Sequence, residues 1–211
     1  MKEKHLPFFT LIDSLETKKC PICFLIKDSI EKYFQNLLYE NITSVDFNKR
    51  FRESNGFCNI HSYKFLSYNK SVAISLTHKL LLKDKIKKIK NIHLNSNNKK
   101  KKCIICEYAK ESEKRYLSIM KDFLEDKEFK DHFLKSDGLC IPHYKKFIYK
   151  NIPRWFIEFH IKKYEENLFE LNQYLDNCNY ADNKKILKHS NNKEIWKKVV
   201  EILFGYEGKI D

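Results

Sequence analysis

Six of the seven cysteines in this 211-residue chain stand in two kinds of pair. Cys20-Pro21-Ile22-Cys23 and Cys103-Ile104-Ile105-Cys106 are C-x2-C pairs. Cys58-Asn59-Ile60-His61 and Cys140-Ile141-Pro142-His143 are C-x2-H pairs. A C-x2-C pair offers two thiolates from one tight turn, and a C-x2-H pair offers a thiolate and an imidazole. One pair of each kind makes the four N/S ligands that Zn²⁺ takes in a tetrahedral structural site. Twice over, that is three cysteines and one histidine.

The pairs belong to an internal repeat. The C-x2-C motif recurs at an offset of 83 residues. Ser54-Asn55-Gly56-Phe57-Cys58-Asn59-Ile60-His61 recurs at an offset of 82 as Ser136-Asp137-Gly138-Leu139-Cys140-Ile141-Pro142-His143. Ser29 matches Ser112, Tyr33 matches Tyr116 and Phe51 matches Phe133. A repeat of this period marks a duplicated structural unit. The expectation is one site per repeat: Cys20, Cys23, Cys58 and His61 in the first, and Cys103, Cys106, Cys140 and His143 in the second. The gaps of 34 and 33 residues between Cys23 and Cys58 and between Cys106 and Cys140 suit two helices running out and back. An exchanged arrangement, with Cys20 and Cys23 meeting Cys140 and His143, stays open.

Other chemistries compete for these residues. A redox dithiol would come with a βαβ pattern that this chain lacks. An iron–sulfur cluster is mostly held by four thiolates, although His can replace Cys. Plain core cysteines would not need the doubled spacing. Zinc, two ions per chain, accounts for most of the pattern, and with no free ligand position it reads as structural rather than catalytic.

The elements that must position these groups are helices. Ile26, Ile30, Tyr33 and Leu37 form a helical stripe over residues 24–39. Weaker periodicity follows over 44–54, and Gly56 and Gly138 stand where a chain leaving a helix can turn. Val72, Leu76, Leu80, Ile86 and Ile89 predict a buried stripe on a helix at 71–93. The second repeat predicts helices near 107–125, 126–135 and 141–150. A long helix at 152–176 carries Trp155, Phe159, Tyr164, Leu168, Leu171 and Leu175. Residues 179–191 read as a polar loop. A last amphipathic helix at 193–204 carries Ile195, Trp196, Val199, Val200 and Leu203, with both tryptophans expected in the core. The expected fold is all-α: a duplicated helical unit, each half pinned by a zinc site, plus C-terminal helices. The segments are 1–93, a Lys/Asn-rich linker at 94–102, 103–178, and a tail at 179–211.

The succession CPIC, SNGFCNIH, a second C-x2-C, SDGLCIPH and a terminal IWKKVVEILFG resembles a bacterial and archaeal family of unknown function. The matching positions are Cys20, Cys23, Cys58, His61, Cys103, Cys106, Cys140, His143, Trp196 and Gly205. Ile104 departs from the proline at Pro21. The resemblance implies a cytoplasmic protein with these paired motifs and a Trp-bearing terminal helix, and it is silent on activity.

Composition narrows the rest. The chain is 42% hydrophobic and 33% charged, with only four Gly and four Pro, too few turn residues for a turn-dense all-β chain. The apolar stretch Pro7 to Ile12 is too short for a signal-peptide core, and no segment reaches the ~18 apolar residues of a membrane span. A cytoplasmic protein with reduced thiols and no membrane partner is therefore expected. The formal charge is +13, of which Lys79 to Lys102 supplies ten Lys against Asp84. Two zinc–thiolate sites lower the total to roughly +11.

Two functions from different classes follow: an interaction or regulatory module with a protein partner, or a nucleic-acid-associated protein that meets phosphates through Lys79–Lys102. No aromatic or Arg interleaves that run to read bases. An enzyme ranks third, because no general base or open metal position stands out. His160 reads as a packed core histidine and Cys178 as a thiol without a role. His78, His93, His132 and His189 have no partner at ligand spacing.

Overall fold

Apolar stripes at helical spacing, Ser and Asp caps, and scarce glycine produce a chain with no strand among the described residues. The computed structural model describes residues 3–90, 102–149, 152–179 and 194–205. The helices are α1 (Leu6–Leu15), α2 (Pro21–Asn36), α3 (Val45–Glu53), α4 (Asn59–Ser67), α5 (Ser71–Lys90), α6 (Ile104–Asp122), α7 (Lys127–Phe133), α8 (Ile141–Phe147), α9 (Arg154–Asn179) and α10 (Ile195–Phe204). Most of the 94–102 linker and the 179–191 loop lies outside the described residues.

Two compact units form, named here for their place in the chain. The central unit is Ile26–Lys114, and the terminal unit gathers Met1–Leu25 with Arg115–Lys209. These are not the 1–93 and 103–178 segments expected from the repeat. The boundaries fall inside α2 and α6, because each of these helices begins at a C-x2-C of one unit and continues into the other.

The central unit is built on aromatic rings. Phe34 lies 5.5 Å from Phe57 and 5.8 Å from Phe65, and Phe51 lies 4.8 Å from Phe57. Such offset and edge contacts add to the area that each ring buries. The Ser29 and Ser112 hydroxyls, equivalent positions of the two repeats, are 2.8 Å apart. A contact between equivalent residues is isologous, the form met at twofold interfaces of dimers, written here within one chain. In the terminal unit Phe129, Phe133, Phe147 and Phe156 repeat the aromatic core, and α1 adds Phe8, Leu11, Ile12 and Leu15.

The caps follow the repeat too. Ser44 accepts from the Phe47 amide at the start of α3, and Asp126, 82 residues on, accepts from Phe129 at the start of α7. Between Tyr33 and Ser44 the first repeat carries one residue more than the second, which changes the offset from 83 to 82. A π-helical turn, Leu37–Asn41, sits in that interval. Wider i→i+5 turns accommodate an inserted residue without ending the helix.

Several sequence expectations need correction. Helices α1 and α4 were not foreseen; α4 is short and buries only His61 and Phe65. The stripe expected on α5 faces solvent: Val72 is 72% exposed and Ile89 67%. The inward side is Thr77, with Ile74 and Leu81 half-buried against the core. Thr77 can face inward because its hydroxyl donates to the Ala73 and Ile74 carbonyls. Leu168 and Leu175 of α9 are likewise exposed, while Phe156, His160 and Asn167 are buried. On α10 Ile195 is buried and Trp196 half-exposed, so the inward face is phased one residue from the indole.

Both repeat glycines adopt left-handed backbone. At Gly138 (φ +72°) a Cβ would lie 2.9 Å from the Phe159 ring and 3.1 Å from His160 Nε2. At Gly56 (φ +90°) it would meet the flexible end of Leu81 at 2.8 Å. Gly138→Ala is expected to cost about 3 kcal/mol and Gly56→Ala about 1–2 kcal/mol, since both strain the backbone but only the first meets rigid rings. Denaturant melts of the two variants measure this, and equal losses would contradict it.

Candidate metal centres

Each ligand pair is laid down by a helix N-terminus. The carbonyls of Cys20, Cys58, Cys103 and Cys140 accept the first helical hydrogen bonds, from Phe24, Ser62, Glu107 and Tyr144 at 2.8–3.0 Å. Each of these cysteines is thus an N-cap, and its partner ligand sits three residues on, in the first turn. The spacing x2 places both side chains on the same end of the helix. The positive end of a helix dipole stabilises a thiolate there.

The eight ligand candidates form two clusters, and the expected pairing within each repeat is overturned. Cys20, Cys23, Cys140 and His143 cluster in the terminal unit, and Cys58, His61, Cys103 and Cys106 in the central unit. Each cluster takes its C-x2-C from one repeat and its C-x2-H from the other. The outgoing and returning helices of each repeat differ in length. Over its 16 residues α2 runs roughly 24 Å at 1.5 Å per residue, and the nine residues of α3 about 14 Å. The second repeat has the same mismatch, with 19 residues in α6 and seven in α7.

The edges of the clusters fit a tetrahedron. In the terminal cluster Cys23 Sγ–Cys140 Sγ is 3.6 Å, and His143 Nδ1 lies 3.4, 3.3 and 3.1 Å from the Cys20, Cys23 and Cys140 sulfurs. In the central cluster Cys58 Sγ–Cys106 Sγ is 3.7 Å, and His61 Nδ1 lies 3.3, 3.7 and 3.5 Å from the Cys58, Cys103 and Cys106 sulfurs. A four-coordinate metal with ~2.3 Å bonds to sulfur and ~2.0 Å bonds to nitrogen has edges of about 3.8 and 3.5 Å. The donor set therefore fits a metal ion, and all six of these cysteines are free thiols.

Burial makes the clusters costly without a cation. Desolvation pushes the Cys20 thiol well up, and the Cys103 and Cys106 thiols up as well. Cys140 moves down, because the Cys20 and Cys23 thiols donate to its sulfur. A buried cluster thus favours one thiolate sheltered by its neighbours over three that repel. A bound dication removes that repulsion, and protons leave as it binds. Burial lowers the His61 imidazole to about 4, which keeps it neutral and ready to coordinate.

A clamp that sequence reasoning missed stands behind the terminal cluster. His160, on α9, accepts from the Leu139 amide through Nε2 (3.0 Å) and donates from Nδ1 to the Phe156 carbonyl (2.8 Å). The Tyr164 hydroxyl donates to the Leu139 carbonyl at 2.9 Å. Both polar atoms of the residue before Cys140 are therefore held by α9. Such outer contacts orient metal ligands. The signal was in the sequence: His78 precedes His160 by 82 residues. His78 packs its ring 5.7 Å from Phe51 and 6.2 Å from Phe65, and donates from Nδ1 to the Ile74 carbonyl at 2.8 Å.

The other candidates belong to neither cluster. His132 lies on α7; His93 and His189 lie outside the described residues, as does the side chain of Cys178 on α9. Of the basic run, Lys79 to Lys90 lie on α5, and Lys99 to Lys101 lie outside the described residues. Lys85 and Lys88 reach Asn55 Oδ1 at 3.0 and 3.4 Å. Asp84 takes two hydrogen bonds from Arg52, at 2.5 and 2.8 Å. No helix among the described residues is long and apolar enough to cross a membrane.

The chain belongs to a family of unknown function, DUF6062, whose model matches residues 1–179. That stretch holds all eight ligand candidates and ends before α10, so Trp196 and Gly205 lie beyond it. The chain is also similar to an uncharacterized 23.9 kDa protein in the xynA 3' region of Caldicellulosiruptor sp. (strain Rt8B.4). The two are 25% identical over 148 residues, which cover 66% of this chain and 70% of the relative. No solved structure matches the chain.

His160 gives a pH signature. Burial lowers it to about 4, against an ordinary value near 6.5. Between those values the unfolded chain binds more protons, so stability is lost as pH falls from 6.5 toward 4. His160→Gln is expected to be less stable at pH 7 and to show a shallower acid slope over that interval. Urea melts at stepped pH decide it, and an unchanged slope would rule out His160 as a source of the acid sensitivity.

Proposed function

We propose that this member of the DUF6062 family is a non-catalytic interaction or regulatory protein of the cytoplasm with two structural zinc ions. The observation that carries the reading is the geometry of the clusters: three sulfurs and one imidazole nitrogen, at tetrahedral edges, twice. Three thiolates with one imidazole suit zinc better than harder cations, and four protein ligands leave no position for a substrate. Reduced thiols accord with a cytoplasmic location. The zinc would fix pairs of helix N-termini and so hold the outer helix faces in place for a protein partner.

A second reading takes nucleic acid as the partner of Lys79–Lys102. Asp84, the one acid of that run, is neutralised by Arg52, which leaves the α5 segment cationic. Affinity for duplex DNA would then fall with salt at a log–log slope of about −0.9 per phosphate contacted. Neutralising Lys99 to Lys102 would reduce that slope. Interleaved Leu82, Ile86 and Ile89, all exposed, favour the protein partner over nucleic acid. Salt-independent or absent DNA binding in filter assays would dismiss the second reading.

Elemental analysis of the purified chain is expected to give two zinc ions; one, none, or iron would overturn the first reading. The loops these ions close differ in length. The central cluster spans 48 residues from Cys58 to Cys106, and the terminal cluster 117 from Cys23 to Cys140. Loop-closure entropy then favours the central site by about 0.8 kcal/mol, or roughly fourfold. During refolding, Cys140→Ser, which keeps only the central site, is expected to take up its single zinc about fourfold more tightly than Cys58→Ser. Zinc titration with a chromogenic chelator measures both, and the opposite order would mean that ligand geometry outweighs loop length.

A further inference from the structure

The repeat lets one cluster be read against the other. Offset 82 sets Cys58 against Cys140 and His61 against His143, and offset 83 sets Cys20 against Cys103 and Cys23 against Cys106. The turns that lead into the two C-x2-H pairs match, Gly56-Phe57 with Gly138-Leu139. What stands over each turn differs. In the terminal unit His160 accepts from the Leu139 amide at 3.0 Å, and Tyr164 donates to the Leu139 carbonyl at 2.9 Å. Their counterparts on α5 are His78 and Leu82. Leu82 has no donor and is 61% exposed. His78 bonds within its own helix, to the Ile74 carbonyl and the Thr77 hydroxyl, and among the described residues it accepts from no amide of the turn. The atoms nearest a Cβ on Gly138 include the His160 ring, whereas on Gly56 they belong to Leu81 and Phe51. The Phe57 carbonyl accepts instead from the Ser62 hydroxyl, on the helix that follows it, at 3.3 Å.

Burial follows the clamp. Cys140, behind it, is 2% exposed, whereas Cys58 is half-buried. Cys58 Sγ lies 3.7 Å from Cys106 Sγ. A disulfide holds its sulfurs about 2.05 Å apart, so one of these two cysteines must give way for the bond to form. Cys106 sits in the first turn of the 19-residue α6, and Cys58 stands on the unclamped turn. The matching pair of the terminal cluster, Cys140 and Cys23, is 3.6 Å apart, but both are buried and the turn before Cys140 is held. Cys20 is half-buried, yet its sulfur partners are Cys23, inside α2, and the clamped Cys140.

We propose that Cys58 is a peroxide-oxidisable thiol resolved by Cys106, and that oxidation releases zinc from the central cluster while the terminal cluster keeps its ion. The Cys58 thiolate attacks one oxygen of hydrogen peroxide. The O–O bond breaks, hydroxide leaves, and Cys58 becomes a sulfenic acid. The Cys106 thiolate then attacks that sulfur, the S–O bond breaks, and a second hydroxide leaves. Two thiolates thus give two electrons to one peroxide and become one disulfide. Cys103 and His61 remain, two ligands where a structural site takes four. Such regulation rests on the reading of the clusters as zinc sites. The clamp governs the rate of attack on the folded chain, and loop closure governs the affinity during refolding.

The test treats the full zinc-loaded chain with hydrogen peroxide and follows released zinc with a chromogenic chelator. Zinc content before oxidation tests the zinc reading by itself. One ion per chain is expected to leave about tenfold faster than the other, the scale on which outer contacts tune a metal site. Alkylation and peptide mapping after the first release should find Cys58 joined to Cys106, with Cys20, Cys23 and Cys140 still reduced. Tyr164→Phe removes one arm of the clamp and should speed the second release, while the first release and the circular dichroism stay unchanged. Release of both ions at one rate would overturn the proposal, as would a first disulfide among Cys20, Cys23 and Cys140. A second release that Tyr164→Phe leaves unchanged would overturn the clamp as the cause of the difference.

Discussion

Desolvated sulfur is the constraint on which the rest depends. Each cluster brings three thiols and an imidazole into contact, and most of those groups are buried. Water cannot stabilise several thiolates there, and neutral thiols make weak hydrogen bonds. A dication reconciles the burial with the charge, helped by two helix N-termini at each cluster. Because α2, α4, α6 and α8 all begin at a ligand candidate, a metal bound there would fix the origin of four helices. Their aromatic faces then pack outward from those origins.

The ligand pairs of the two repeats are exchanged between the clusters. An N-cap ligand starts its helix at the cluster and sends the chain away from it. The outward helices α2 and α6 are about twice as long as the returning α3 and α7. Each C-x2-H meets the other repeat's C-x2-C. The result has the connectivity of a swapped dimer fused into one chain, and the Ser29–Ser112 contact is its trace in the central unit. The loop closed by the central cluster lies wholly inside the one closed by the terminal cluster.

Much of this was legible in the residues, for identifiable reasons. Ligand identity was readable because metal chemistry demands particular side chains at fixed local spacing. The all-helical class was readable from stripes and from the shortage of Gly and Pro. Pairing was not, because the local spacing of each C-x2-C suits the C-x2-H of either repeat, and long-range closure leaves no trace in periodicity. The inward face of α5 was misread for another reason. Leu and Ile dominate its apolar count, yet Thr77 satisfies its hydroxyl on the helix itself and takes the buried position. The partnership of His160 with the Leu139 amide could have been suspected from the 82-residue match to His78, had histidines outside the ligand spacing been aligned.

The two halves share a scaffold but have diverged in what surrounds it. The terminal unit is closed: α1 covers the start of α7, and α9 holds Leu139 on both its polar atoms. In the central unit the equivalent of Asp126 is Ser44, the equivalent of Tyr116 is only half-buried, and a π turn precedes α3. The shared scaffold sets where the helices start, and the residues around it set how each unit is closed. Phe8 and Phe123 meet in the terminal unit at 4.6 Å, whereas the central unit carries the polar Glu40 and Asn41 at the place of Phe123. The ring that α1 packs against is thus a feature of one repeat and not of the duplicated unit.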